Sequence, residues 1–346
     1  VSDGKSEAMM SASVTVEPDQ MYPPKQLHIK HKGMRMTVGW KGMSRTPVDI
    51  ADEKLDIIRD ELGCNAVIIY GNTEFEDDLI EAGRLAIEKG FDRIYVAPMY
   101  LDVPIDDTVE MIGKFARKVR TLREVSDSIV FMVGHEFSLD AYGIIHGETY
   151  SDRTIYLREH WDAITKSYAL LPSMFRKIIE RCNDNYGYQI AYAATMWEAE
   201  DIVPWPNPIF ESVNSDAYIM KKAGCTEDVV RNHLSGLKRF RKPVNSTEWG
   251  CPTYNGAGYQ AASDFLDEDL AKYPYDEDEQ AKYIAQYCNM LNRAKISGAF
   301  YTQIDDERLK GYGLYKASPS ATPPYFGHGS SRKKGFYMYK SYQRAS

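Results

Sequence analysis

Two glutamates in this chain each close an apolar or strand-like run. Glu136 follows Phe131-Met132-Val133-Gly134-His135, and Glu248 follows Pro243-Val244-Asn245-Ser246-Thr247. Carboxyls at two strand ends can face each other across a cleft, however far apart they lie in the chain. Such a pair suits glycosidic cleavage: one protonates the leaving oxygen and the other supports the oxocarbenium-like carbon. The acid of the pair needs a raised pKa, and desolvation plus the charge of the partner both push that way. Further polar or aromatic groups stand at or near other run ends: Trp40, Asn72, Trp197, Tyr218, Trp249, Tyr301 and Gln303. Tyr and Trp stack on sugar rings and line polar-ligand clefts.

The elements that must position these groups alternate. Eight strand-like runs are expected: 34–40, 66–70, 93–100, 129–134, 188–194, a short weak one at about 216–219, 243–247 and 298–304. Between them lie amphipathic helical stretches. Leu55, Ile58 and Leu62 share one face, as do Ile112, Phe115, Ala116, Val119 and Leu122, with Asp107 as an expected cap. Further helices are expected over about 76–90, 154–182, 226–240 and 277–295. Near-continuous apolar strands joined by helices point to a single (β/α)8 TIM barrel over 31–346, preceded by an N-terminal extension at 1–30. The competing doubly wound sheet lacks support, because no GxGxxG or GxxxxGK[ST] ends any strand. In a barrel the strand C-termini form the functional rim, so residues closing the runs are the ones to weigh.

Composition narrows the rest. The 346 residues include 42 basic and 50 acidic side chains, a net charge of −8, with 43% hydrophobic and 27% charged residues. That fits a soluble globular protein and makes nucleic acid an unexpected partner. No apolar run approaches the roughly 20 residues that span a bilayer. The five cysteines are scattered without CxxC spacing, and the seven histidines form no HxH or HExxH. No metal or cofactor is therefore expected, and a reducing, cytoplasmic setting is. The sequence carries no signal for an oligomeric state.

The strand end Phe131–Glu136, the segment Asn245-Ser246-Thr247-Glu248-Trp249-Gly250, and the closing module from Asp278 through Gly298-Ala299-Phe300-Tyr301 to Lys334-Gly335-Phe336-Tyr337 together resemble a clan A glycoside hydrolase. The resemblance covers about residues 34–340 and is architectural, without a subfamily. It implies catalytic glutamates after strands four and seven: Glu136 as acid/base and Glu248 as nucleophile. It also implies net retention, with the carboxyls about 5–5.5 Å apart, and a tyrosine at Tyr218 bonded to the nucleophile. Where the family has Asn before the acid/base, usually bound to the sugar 2-hydroxyl, this chain has His135. The tryptophan platform of the last strand is also missing, leaving Tyr301 or Gln303 to substitute.

Blander readings stand beside these. His135 is either a ligand contact or a satisfied core histidine. Trp40 is a platform or a rim-filling core residue, and Trp249 can face the helix layer. Glu198 is a rival carboxylate for a substrate amine or hydroxyl. Asp305, Asp306 and Glu307 read as a solvated loop or, alternatively, as a contact to a hydroxylated or cationic substrate. The expected activity is hydrolysis of a β-linked saccharide. The alternatives are a barrel that binds carbohydrate without cleaving it and, third, a non-glycosidic (β/α)8 lyase or hydrolase using the same acids.

Overall fold

The computed structural model describes residues 26–39, 46–260, 273–305, 311–315 and 332–344. Eight parallel strands close into a barrel in chain order, with the last paired back onto the first. They are β1 (His31–Val38), β2 (Ala66–Asn72), β3 (Arg93–Met99), β4 (Ile129–His135), β5 (Ile190–Thr195), β6 (Val213–Asp216), β7 (Val244–Trp249) and β8 (Gly298–Tyr301). The fold is the expected (β/α)8 barrel.

Helices connect the strands: α1 (Pro47–Asp56), α2 (Glu76–Glu88), α3 (Ile105–Arg123), α4 (Phe137–Asp140), α5 (Tyr150–Glu159), α6 (Ile164–Asn185), α7 (Met196–Asp201), α8 (Glu227–Gly236), α9 (Glu277–Ala294) and the closing α10 (Lys334–Arg344). The expected cap at Asp107 is corrected. Helix α3 starts after Pro104, and Asp107 lies in its first turn with Asp106, where acids suit the helix dipole. The long helical region expected over 154–182 comprises α5 and α6, joined by a short helical turn at Trp161–Ala163.

Strand alternation divides the core. On β2, Ala66, Ile68 and Tyr70 face the barrel interior with Tyr95, Met132 and Phe300, while Val67 and Ile69 face the helices. Gly33 leaves the interior room it needs: a Cβ there would lie 2.2 Å from the Phe300 ring. Packing onto the barrel begins before β1, within the expected extension, since Leu27 is buried and its amide donates to the Tyr342 carbonyl at 3.0 Å. Among the described residues, no helix is long and apolar enough to cross a membrane. All five cysteines are free thiols.

Candidate active site

The ends of β4, β6 and β7 supply the cluster, and two of them break strand alternation to do so. On β7, Ser246 and Trp249 both face α9: Ser246 Oγ lies 2.9 Å from the Tyr287 hydroxyl, and Trp249 stacks on the Tyr287 ring at 4.3 Å. Residues three apart cannot share a face in a regular strand. A register irregularity between Ser246 and Trp249 reconciles them and turns Glu248 inward. Strand β4 repeats the device. Met132 and His135 both face the interior, across an irregularity between them.

Glu248 is held by three side chains. Arg35, an inward residue of β1, pairs with Oε2. His135 Nε2 lies 3.1 Å from the same oxygen, and the Tyr218 hydroxyl donates to Oε1. Arg35 also lies over the Tyr70 ring, 4.3 Å from its centroid, and Tyr70 meets the His135 ring edge-on. Burial keeps the Tyr218 hydroxyl protonated, far above its ordinary pKa, so it remains a donor.

His135 sits among acids. Its Nδ1 lies 3.4 Å from Asp140 Oδ2, and its Nε2 is 3.1 Å from both Glu248 Oε2 and Asp216 Oδ2. Burial alone would lower its pKa; the charges of Glu136 and Asp140 and the contacts to Asp140 and Asp216 outweigh that and raise it to about 10. It is an imidazolium at neutral pH.

Glu136 follows directly, with its backbone in the left-handed region at φ 33°. That conformation is costly for a residue with a Cβ and persists only where surroundings fix it. Here the Glu136 amide donates to the Ala193 carbonyl at 2.8 Å, and the Glu136 carbonyl accepts from Leu139 and Asp140 amides. Buried Arg153 clamps the same turn, donating to the Leu139, Asp140 and Glu148 carbonyls and pairing with Asp102. Burial raises the Glu136 carboxyl to about 8; His135 opposes this, and Asp216, Asp140 and Glu198 add to it. Glu136 is therefore largely protonated at neutral pH, while Glu248 lies against two cations. The two glutamates stand in different environments, one buried among acids and the other against cations, which is the asymmetry an acid and a nucleophile require.

His135, Glu136 and Asp216 each offer a ligand atom, all within 4.8 Å of one another. A metal ion there would need a lone pair on His135, and both ring nitrogens already face acids.

The remaining expected site residues divide. Asn72 is exposed at the end of β2. Trp197 is half-buried in the first turn of α7, edge-on to exposed Trp161 with ring centroids 5.5 Å apart. Gln303 lies buried two residues past β8. Trp249 and Tyr301 are not brought to the cluster. Both are fully buried and packed edge-to-face in the helix layer, because the outward side of β7 and β8 faces α9 and α10. Trp40 lies outside the described residues.

Two other readings change. Glu198 is not a rival ligand: it is fully buried and accepts hydrogen bonds from the Ser138 and Thr195 amides and the Tyr192 hydroxyl, bracing the turn after β4. Asp305 is not solvated, since it forms a buried ion pair with Lys54 at 2.9 Å; Asp306 and Glu307 lie outside the described residues. A cavity of about 950 Å³ opens beside α5, lined by Tyr142, His146, Glu148 and Lys166 among others, and no member of the carboxylate cluster lines it.

Sequence reasoning missed Arg35, Asp140 and Asp216. Arg35 had a signal, a lone cation within the apolar run Met34–Val38. Asp216 opened the weak sixth run, and Asp140 had none beyond its proximity to Glu136.

In fold, the chain is similar to solved glycoside hydrolases. A GH113 β-1,4-mannanase aligns at 16% identity and TM-score 0.58, over 92% of this chain and 99% of that one. The catalytic domain of Thermobifida fusca endoglucanase Cel5A aligns at 13% identity and TM-score 0.57, over 94% and 99%. Fungal β-1,4-galactanase aligns at 15% identity and TM-score 0.52, over 90% and 99%. No family model matches the chain, and no curated protein matches it. At these identities the likeness is one of fold, and fold alone does not assign an activity.

Proposed function

We propose that the chain is a retaining glycoside hydrolase acting on a β-linked saccharide. Glu248 attacks the anomeric carbon and forms a glycosyl-enzyme, while Glu136 protonates the leaving oxygen. Glu136 then takes a proton from the incoming water as the intermediate is hydrolysed. Arg35, His135 and Tyr218 stabilise the Glu248 carboxylate and hold it in one rotamer.

One observation carries this reading. Two glutamates from β4 and β7 share the neighbour His135, with one raised to about 8 by burial and nearby acids and the other set against a guanidinium and an imidazolium. Structural ion-pair networks also perturb pKa values, but they do not need one carboxyl set among acids and another set against cations at a strand-end rim. The fold likeness to a mannanase, an endoglucanase and galactanases adds to it.

Kinetics on aryl β-glycosides tests the roles. Glu248→Ala abolishes turnover. Glu136→Ala retains activity on substrates with good leaving groups, loses about 10²–10⁴-fold on poor ones, and is rescued by azide. Equal, unrescued loss at both positions contradicts the assignment.

The second reading is a barrel that binds carbohydrate without cleaving it. The observation in its favour is that both ring nitrogens of His135 are already engaged by acids. Calorimetry with saccharides that bind, coupled to an assay finding no reducing ends released, would select it.

A further inference from the structure

Among the described residues at the mouth of the barrel, several donors are already engaged while one acceptor is not. Arg35 pairs with Glu248, both His135 nitrogens face carboxylates, and the Tyr218 hydroxyl donates to Glu248. Thr302 Oγ1, beside Tyr218, lies 2.7 Å from the Trp249 carbonyl, to which it donates. Asp216 is the opposite case. Its side chain is 1% exposed, Oδ2 lies 3.1 Å from the His135 imidazolium, and among the described residues Oδ1 has no hydrogen-bond partner. Among the described residues, four acidic side chains, of which Glu136 is held largely neutral, stand with two cations, Arg35 and His135. A buried carboxylate oxygen left without a donor is costly unless a ligand supplies one.

The position of this acceptor indicates which ligand group it meets. This step rests on the reading that Glu248 attacks the anomeric carbon. The carbon next to that centre, C2, then carries its substituent beside Glu248, where Asp216 pairs in register with it. Contacts to the C2 group strengthen in the transition state of glycosidases. A C2 hydroxyl gives one hydrogen and brings no charge. A C2 ammonium gives three hydrogens and asks for none. It also carries a charge that would oppose positive charge developing at C1, and a carboxylate at Asp216 offsets that.

We propose that Asp216 reads a protonated amine at C2, so that the preferred substrate is a β-linked 2-amino-2-deoxy saccharide whose amine is free.

The test uses the full chain and four β-1,4-linked oligosaccharide series: glucosamine, N-acetylglucosamine, glucose and mannose. Binding of each is measured by calorimetry and cleavage by reducing-end release. The expected result is at least ten-fold tighter binding and ten-fold higher kcat/KM for glucosamine oligomers than for the other three. In Asp216→Asn, the ratio of glucosamine to glucose affinity falls at least ten-fold. Thermal melting of this variant separates loss of selectivity from loss of folding, and Asp216→Glu restores part of the ratio. Equal or weaker affinity for glucosamine than for glucose or N-acetylglucosamine overturns the inference, as does an unchanged ratio in folded Asp216→Asn. Binding without any cleavage overturns the hydrolase reading instead and leaves the affinity comparison standing.

Discussion

His135 Nε2 lies 3.1 Å from Glu248 Oε2, so one imidazolium joins the residue before Glu136 on β4 to the carboxylate on β7. The same nitrogen is 3.1 Å from Asp216 on β6. Three strand ends thus meet through a single ring, and the charge on that ring affects both glutamates.

The first consequence is a pH profile. With Glu136 at about 8, kcat/KM falls above that pH as the acid deprotonates. His135 lowers the Glu136 pKa and Asp216 raises it. His135→Gln therefore moves the alkaline limb to higher pH, and Asp216→Asn moves it to lower pH. Rate profiles of the two variants measured from pH 5 to 10 check this, and shifts in the same direction would contradict the electrostatic account.

Stability depends on pH through the same groups. Folding raises His135 from 6.5 to about 10 and Glu136 from 4.5 to about 8, so the native state binds protons more tightly than the unfolded chain. The stability from His135 is fully present below pH 6.5 and is lost as pH rises through 10. Glu136 adds a loss in the same direction between 4.5 and 8. Urea unfolding as a function of pH reads both, and His135→Gln removes the decline at the alkaline end.

Trp249 and Trp197 separate by role. Trp249 stacks on Tyr287 at 4.3 Å and is fully buried, so Trp249→Ala costs about 3–5 kcal/mol of stability. Trp197 is half-buried beside exposed Trp161, so Trp197→Ala leaves stability within about 1 kcal/mol and raises KM for oligosaccharides. Chemical denaturation and steady-state kinetics on both variants distinguish packing from ligand contact.

Lys54 and Asp305 form an ion pair that ties α1 to the segment after β8, both side chains nearly inaccessible at 0% and 3%. Removing one partner strands a buried charge. Lys54→Met destabilises by about 3–5 kcal/mol, and the double variant with Asp305→Leu recovers much of the loss. Equal destabilisation in the single and double variants would contradict the pairing.

The barrel was legible because its signal is long-range and redundant: eight strand-like runs recur with amphipathic helices between most of them. Strand β6 was the weakest reading, expected at about 216–219 and found at Val213–Asp216. Its polar side chains are buried through specific partners, as when Asn214 donates to the Tyr192 carbonyl and Ser215 meets His233, and no hydrophobic period reveals such bonds. Glu136 and Glu248 were found because they end runs. Arg35 and Asp216 were missed because their role depends on strands distant in sequence. The direction of Trp249 followed from an irregularity that flips one step of alternation, which local sequence does not encode in any evident way. Glu198 looked like a ligand until its three backbone and tyrosine donors were counted.

The most direct measurement is the anomeric configuration of the first product, followed by proton NMR from the moment an aryl β-glycoside or β-linked oligosaccharide is mixed with the full chain. Double displacement by Glu248 and Glu136 predicts the β-anomer first, with the α-anomer growing in only by mutarotation. An α-anomer appearing first, or no cleavage of any β-linked saccharide that binds, contradicts it.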